Sequence, residues 1–147
     1  MTGWTKDKQW SDRFLPEIKS ILGRALISEA PPEEDATHGT DLIVLTLHPY
    51  RIACRVRKHH YLAPYGNEFT IRSGRPSGAK TELTKIIEGW GDYFFYGFAN
   101  AEETTLAQWF LGDLKAFRIW HSRQLLTGAG KLPGKLQFNF DGSSSRT

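Results

Sequence analysis

Apolar residues first recur at helical spacing. Phe14, Ile18, Ile21, Leu22, Ala25 and Leu26 share one face, the i, i+4, i+7, i+8 pattern of an amphipathic helix. Ser11 or Asp12 can cap it, and Pro16 falls in the first turns, where a missing N–H costs least. Glu17 sits at the edge of that face. Residues 29–39, rich in proline and acids, read as loop. From Asp41 the pattern changes to a nearly continuous apolar run, Leu42-Ile43-Val44-Leu45-Thr46-Leu47, which belongs to a strand covered on both sides. His48, Pro49 and Tyr50 read as a turn. Residues 51–57 then alternate, with Ile52, Cys54 and Val56 on one face and Arg51, Arg55 and Arg57 on the other.

A third short strand is expected over residues 68–72, and residues 73–78 form a loop leading into a second helix. There Leu83, Ile86, Ile87 and Trp90 make the stripe expected to be buried, and Gly89 and Gly91 end the helix. Tyr93-Phe94-Phe95-Tyr96-Gly97-Phe98 reads as a buried aromatic strand. Asn100 with Glu103 forms a capping box for a third helix running to about Leu125, with Leu106, Trp109, Phe110, Leu114 and Phe117 inward. Leu136, Phe138 and Phe140 alternate as one last short strand in an extended tail over 127–147, whose final residues look frayed. The expected order is helix, three strands, helix, strand, helix. That is an α/β fold with a mixed central sheet flanked by helices.

Composition narrows this little. The 147 residues, 39% hydrophobic and 24% charged, fit a single globular domain spanning 1–147. One cysteine, Cys54, excludes an internal disulfide and all-cysteine metal sites, and fits a reducing, cytoplasmic setting. No apolar run is long enough for a signal peptide or a membrane span. Charge is more informative because it is segregated. Residues 12–41 hold seven acids against three bases, whereas residues 51–85 hold eight bases against two acids. An acidic stretch beside a basic one can hold cations and an anionic polymer together.

Gly39-Thr40-Asp41-Leu42-Ile43-Val44, with Glu17 on the preceding helix and Tyr93-Phe94-Phe95-Tyr96-Gly97 after a second helix, resembles the core of the PD-(D/E)XK, or restriction-endonuclease-like, nuclease superfamily. The resemblance covers residues 11–99, about 60% of the chain by element order. It implies Mg²⁺-dependent phosphodiester hydrolysis on DNA, with Asp41 and Glu17 as metal ligands. The family's acid-x-lysine pair falls on Arg55-Val56-Arg57. Arg57 keeps the cation, but Arg55 stands where the acid should be and would repel a metal ion. Clustered carboxylates are what hold Mg²⁺ and let it acidify an attacking water. Glu68 or Glu82, from the next strand or helix, is the candidate replacement acid.

Arg51, Arg55, Lys58, Arg72, Arg75 and Lys80 are the candidate phosphate contacts, since clustered cations bind nucleic-acid backbones through counterion release. The alternatives are a solvated basic strand surface, a catalytically inactive nucleic-acid-binding module on the same fold, or a protein-interaction domain, including a homo-oligomer. His38, His59 and His60 lack the spacing of a zinc site. Cys54, on the apolar face, reads as core.

Overall fold

The computed structural model describes residues 3–23, 27–44, 49–131, 134–138 and 144–146. In chain order the described elements are α1 (Gly3–Asp12), α2 (Leu15–Leu22), β1 (Ile27–Glu29), α3 (Pro32–His38), β2 (Leu42–Val44) and β3 (Tyr50–Arg57). A 3-10 turn (His59–Tyr61) and the single-turn α4 (Leu62–Tyr65) lead to β4 (Ile71–Gly74) and α5 (Glu82–Ile87). Next come β5 (Tyr93–Ala99), β6 (Leu106–Asp113), α6 (Leu114–Thr127), β7 (Leu136–Phe138) and β8 (Ser144–Arg146). The fold is mixed α/β, built on a five-stranded sheet in the order β1-β2-β3-β5-β6. β3 and β5 pair in parallel, with α5 in the connection between them, and the other neighbours are antiparallel. β4, β8 and β7 form a second, three-stranded sheet.

β3 alternates because Ile52 and Val56 are its buried positions and its arginines are only partly covered. Ile52 and Val56 join Phe14, Ile18, Leu42 and Phe95 in a core beneath α2. Phe94, Tyr96 and Phe98 instead join Leu83, Ile86, Leu114 and Ile71 on the opposite face. β5 is therefore buried along almost its whole length, so its run of aromatic residues carries no polar alternation. Tyr96, stacked on Phe110 at a centroid distance of 5.5 Å, is 1% exposed, and its hydroxyl accepts from the Thr70 amide at 3.3 Å. This supplies the partner that a buried phenol needs.

Several elements differ from the sequence expectations. Residues 106–113 form β6, not the first turns of a helix. Asn100 caps a hairpin, its Oδ1 accepting the Thr104 and Thr105 amides at 2.8 and 3.2 Å. The helix starts only at Leu114, capped by Asp113, which accepts from the Lys115 and Ala116 amides at 2.7 and 3.0 Å. The loop expected over 29–39 contains α3, initiated by Pro32 and closed by Gly39 at φ 68°. The third strand lies at Ile71–Gly74, later than expected, and in the second sheet. The carboxyl-terminal segment is also more than an extended tail, because Ser144–Arg146 pairs with both β4 and β7. The expected ends of the first helix (residues 24–26) and of the Asp41 strand (residues 45–47) lie outside the described residues.

Candidate functional site

Asp41 immediately precedes β2, at the start of the hairpin that β2 makes with β3. Its amide donates to the Ile52 carbonyl at 3.2 Å, and its carboxylate accepts from the Cys54 amide at 2.6 Å. Burial pushes its pKa up to about 7, against the lowering effect of that Cys54 hydrogen bond, and Asp35 adds to the rise. Near neutral pH Asp41 therefore exchanges its proton. The Cys54 thiol is pushed well above its ordinary range, first by burial and then by the Asp41 charge. It stays protonated, as a core cysteine should.

Asp41 opens onto a pocket of about 390 Å³. Around it stand Arg55 from β3, Arg72 from β4, Arg75 from the following loop, and Glu82 and Lys85 from α5. Four cations thus reach one cavity from three stretches of chain. Asp35 and His38 of α3 complete one wall. α5 is held in place by Thr81, whose hydroxyl accepts the Thr84 amide at 3.3 Å. The cap orients the first turn, and Glu82 and Lys85, at i and i+3, then share a face. Lys85 donates to the Ala36 carbonyl at 3.2 Å and lies against Gly39, where an added Cβ would meet its side chain at 3.4 Å.

The carboxylates of this pocket are already engaged. Glu82 Oε2 is 2.8 Å from Arg55 Nη2 and accepts the Arg72 amide at 3.1 Å. Asp35 is paired with Lys8. Arg55 also donates to the Thr70 carbonyl at 2.7 Å. Among the described residues no three His, Cys, Asp or Glu side chains group in a way that could hold a metal ion. Mg²⁺ wants several free oxygen donors in a regular arrangement. The donor set here does not fit it.

The other expected residues are dispersed. Glu17 does not line the Asp41 pocket; its Oε2 accepts the Leu106 amide at 2.9 Å, fastening α2 to the start of β6. Arg57 turns away to lie over the Tyr61 ring at 4.1 Å and to reach the Tyr96 hydroxyl at 3.4 Å. Glu68 is exposed beside a different cavity, with Asn67, Phe69 and Lys135. Arg51 pairs with Glu34 at 2.6 Å, and Lys80 with Glu88 at 2.7 Å. Lys58 lies 5.6 Å above the Trp10 ring. Of the expected catalytic set, Asp41 and Glu82 meet; of the expected phosphate contacts, Arg55, Arg72 and Arg75 do.

Lys85 and Trp90 also line the pocket, beyond the candidate residues of the sequence. Lys85 was legible as the i+3 partner of Glu82 on a capped helix. Trp90 fitted the buried stripe but is 39% exposed at the pocket rim, with the His38 ring stacked on it at 3.6 Å. Among the described residues no helix is long and apolar enough to cross a membrane. No family model, curated protein or solved structure matches the chain.

Proposed function

We propose that this chain is a nucleic-acid-binding module on a nuclease-like core, which seats the phosphate backbone of DNA in the pocket beside Asp41. The observation that carries this reading is the convergence of Arg55, Arg72, Arg75 and Lys85 on a single cavity. Cations gathered in a concave site focus their field and gain affinity for a polyanion by releasing its counterions. Arg55 Nη1 is held by the Thr70 carbonyl, which leaves Nη2 aimed at Glu82, a carboxylate that a phosphate oxygen can replace. The restriction-endonuclease-like reading of the core is supported by the β2–β3 hairpin carrying Asp41 and by α5 connecting the parallel pair β3 and β5.

The test is fluorescence anisotropy of a labelled DNA oligonucleotide at rising salt. Binding should weaken steeply with salt. Arg75→Glu and Lys85→Glu should each lower the salt slope by about one, the signature of a lost phosphate contact. DNA affinity that is absent at low salt would sink the proposal.

Metal-dependent hydrolysis of DNA is the second reading. It is favoured by Asp41, Glu82 and Lys85 lining one pocket, and opposed by the pairing of Glu82 with Arg55. Cleavage in Mg²⁺ or Mn²⁺ that disappears in Asp41→Ala would establish it over simple binding.

A further inference from the structure

We propose that Trp90 is a stacking platform for an unpaired nucleobase, so that the Asp41 pocket takes single-stranded DNA in preference to duplex. This rests on the phosphate reading above and adds the form of the nucleic acid to it.

An indole on an exposed turn is not explained by burial, because Leu83 and Ile86 already supply the core contacts of α5. The turn nevertheless holds Trp90 firmly. Its amide donates to the Lys85 carbonyl at 3.1 Å, and its carbonyl accepts Arg118 Nη2 of α6 at 2.7 Å. The same guanidinium takes the Gly91 and Ile86 carbonyls at 2.8 and 2.6 Å. Gly89 and Gly91, at φ 99° and 79°, supply the left-handed backbone this turn requires on either side of the ring. These bonds fix the backbone of the turn, and the His38 ring stacked at 3.6 Å orients the indole; an ordered side chain loses little freedom when a ligand settles on it.

The location supports the same use. Trp90 lines the cationic pocket and also a neighbouring cavity of about 280 Å³ bounded by Thr37, Glu33 and the Glu34–Arg51 pair. It therefore stands where a base would lie if its own phosphate sat among the arginines. The His38 ring rests on the indole at 3.6 Å with an interplanar angle of 22°, the geometry a base adopts on an aromatic ring. A base can take the place of His38 or extend the stack by one ring; both arrangements need the indole. Inside duplex DNA the faces of each base are covered by its neighbours, so away from the two ends of a duplex it is an unpaired base that offers one to Trp90.

The experiment compares anisotropy titrations with labelled oligothymidylate and with a blunt duplex, for the wild type and for Trp90→Ala, Trp90→Phe and Arg75→Glu. Wild type should bind the single strand more tightly. Trp90→Ala should weaken single-strand binding by about tenfold or more while leaving the duplex unchanged, and Trp90→Phe should retain most of the affinity. Equal losses on both ligands, or no loss on either, would overturn the proposal. If Arg75→Glu weakens both ligands while Trp90→Ala weakens neither, the phosphate pocket stands and the stacking platform falls. If wild type binds neither ligand, both fall together.

Discussion

Asp41 is the residue at which fold and chemistry meet, because its carboxylate both closes the β2–β3 hairpin and faces the pocket. Its pKa of about 7 fixes a sign. The ordinary unfolded value is about 4, so between those values the native state holds a proton that the unfolded chain releases. Stability should therefore fall as pH rises from about 4 to 7 and then level off. Asn at this position can still accept the Cys54 amide without carrying charge. Asp41→Asn should accordingly stabilise the protein at pH 8, by about 2 kcal/mol after allowing for the solvent at the pocket mouth, with little effect at pH 4. Thermal melts at the two pH values check this; an equal shift at both would contradict it. The same proton bears on binding. With Asp41 protonated the pocket is more positive, so DNA affinity should drop as pH passes through 7 in the wild type and change less in Asp41→Asn. At this scale the sequence was partly legible: the position of Asp41 after Gly39-Thr40 marked it, but its burial came only from the packing of β3 and α3 around it.

At the scale of elements, small hydrogen-bonding side chains decide where helices and strands begin. Asp113→Ala removes the acceptor for two amides of α6 and should cost about 1 kcal/mol in chemical denaturation without changing DNA binding. Thr81→Ala should cost a similar amount and also weaken binding, since α5 positions Glu82 and Lys85. If Thr81→Ala altered stability alone, the pocket would not depend on the register of α5. These caps also explain the main misreading of the sequence. Leu106, Trp109, Phe110, Leu114 and Phe117 fit a helical stripe, yet the same run alternates as a strand, with Leu106 and Phe110 half-buried and Trp109 and Leu111 exposed. Asn100 binds the Thr104 and Thr105 amides across a turn, and Glu103 adopts φ 54°, so residues 100–105 make a hairpin instead of starting a helix. Asn and Asp compete for backbone amides in both settings, so an Asn100–Glu103 pair does not by itself distinguish the two. The aromatic strand β5 needed no such help. Its unbroken apolar run has few other places to go than the middle of a sheet.

Across the whole molecule, one sheet separates two cores and leaves the pocket on the side of α5. Phe95 lies fully buried in one core, stacked on Trp109 at 5.5 Å. Phe95→Ala should cost about 3–5 kcal/mol through the cavity it leaves, a loss visible as a lower denaturation midpoint. The α/β class was readable from the pattern of runs and alternations. The second sheet was not, because its strands are short and β4 pairs with β8 across about seventy residues of sequence, a separation that local periodicity does not report. The site divided in the same way. Arg55, Arg72, Arg75 and Glu82 were visible as a charged stretch, whereas the departure of Glu17 and Arg57 to other partners followed from three-dimensional contacts alone. In the proposed function the cations around Asp41 form a seat for a nucleic-acid backbone. This is tested most directly by titrating a labelled DNA oligonucleotide into wild type and Arg75→Glu at low and moderate salt. Binding should be salt-sensitive, and Arg75→Glu should weaken it by about tenfold with a salt slope shallower by about one. Binding that is salt-independent, or equally tight in the variant, would contradict it.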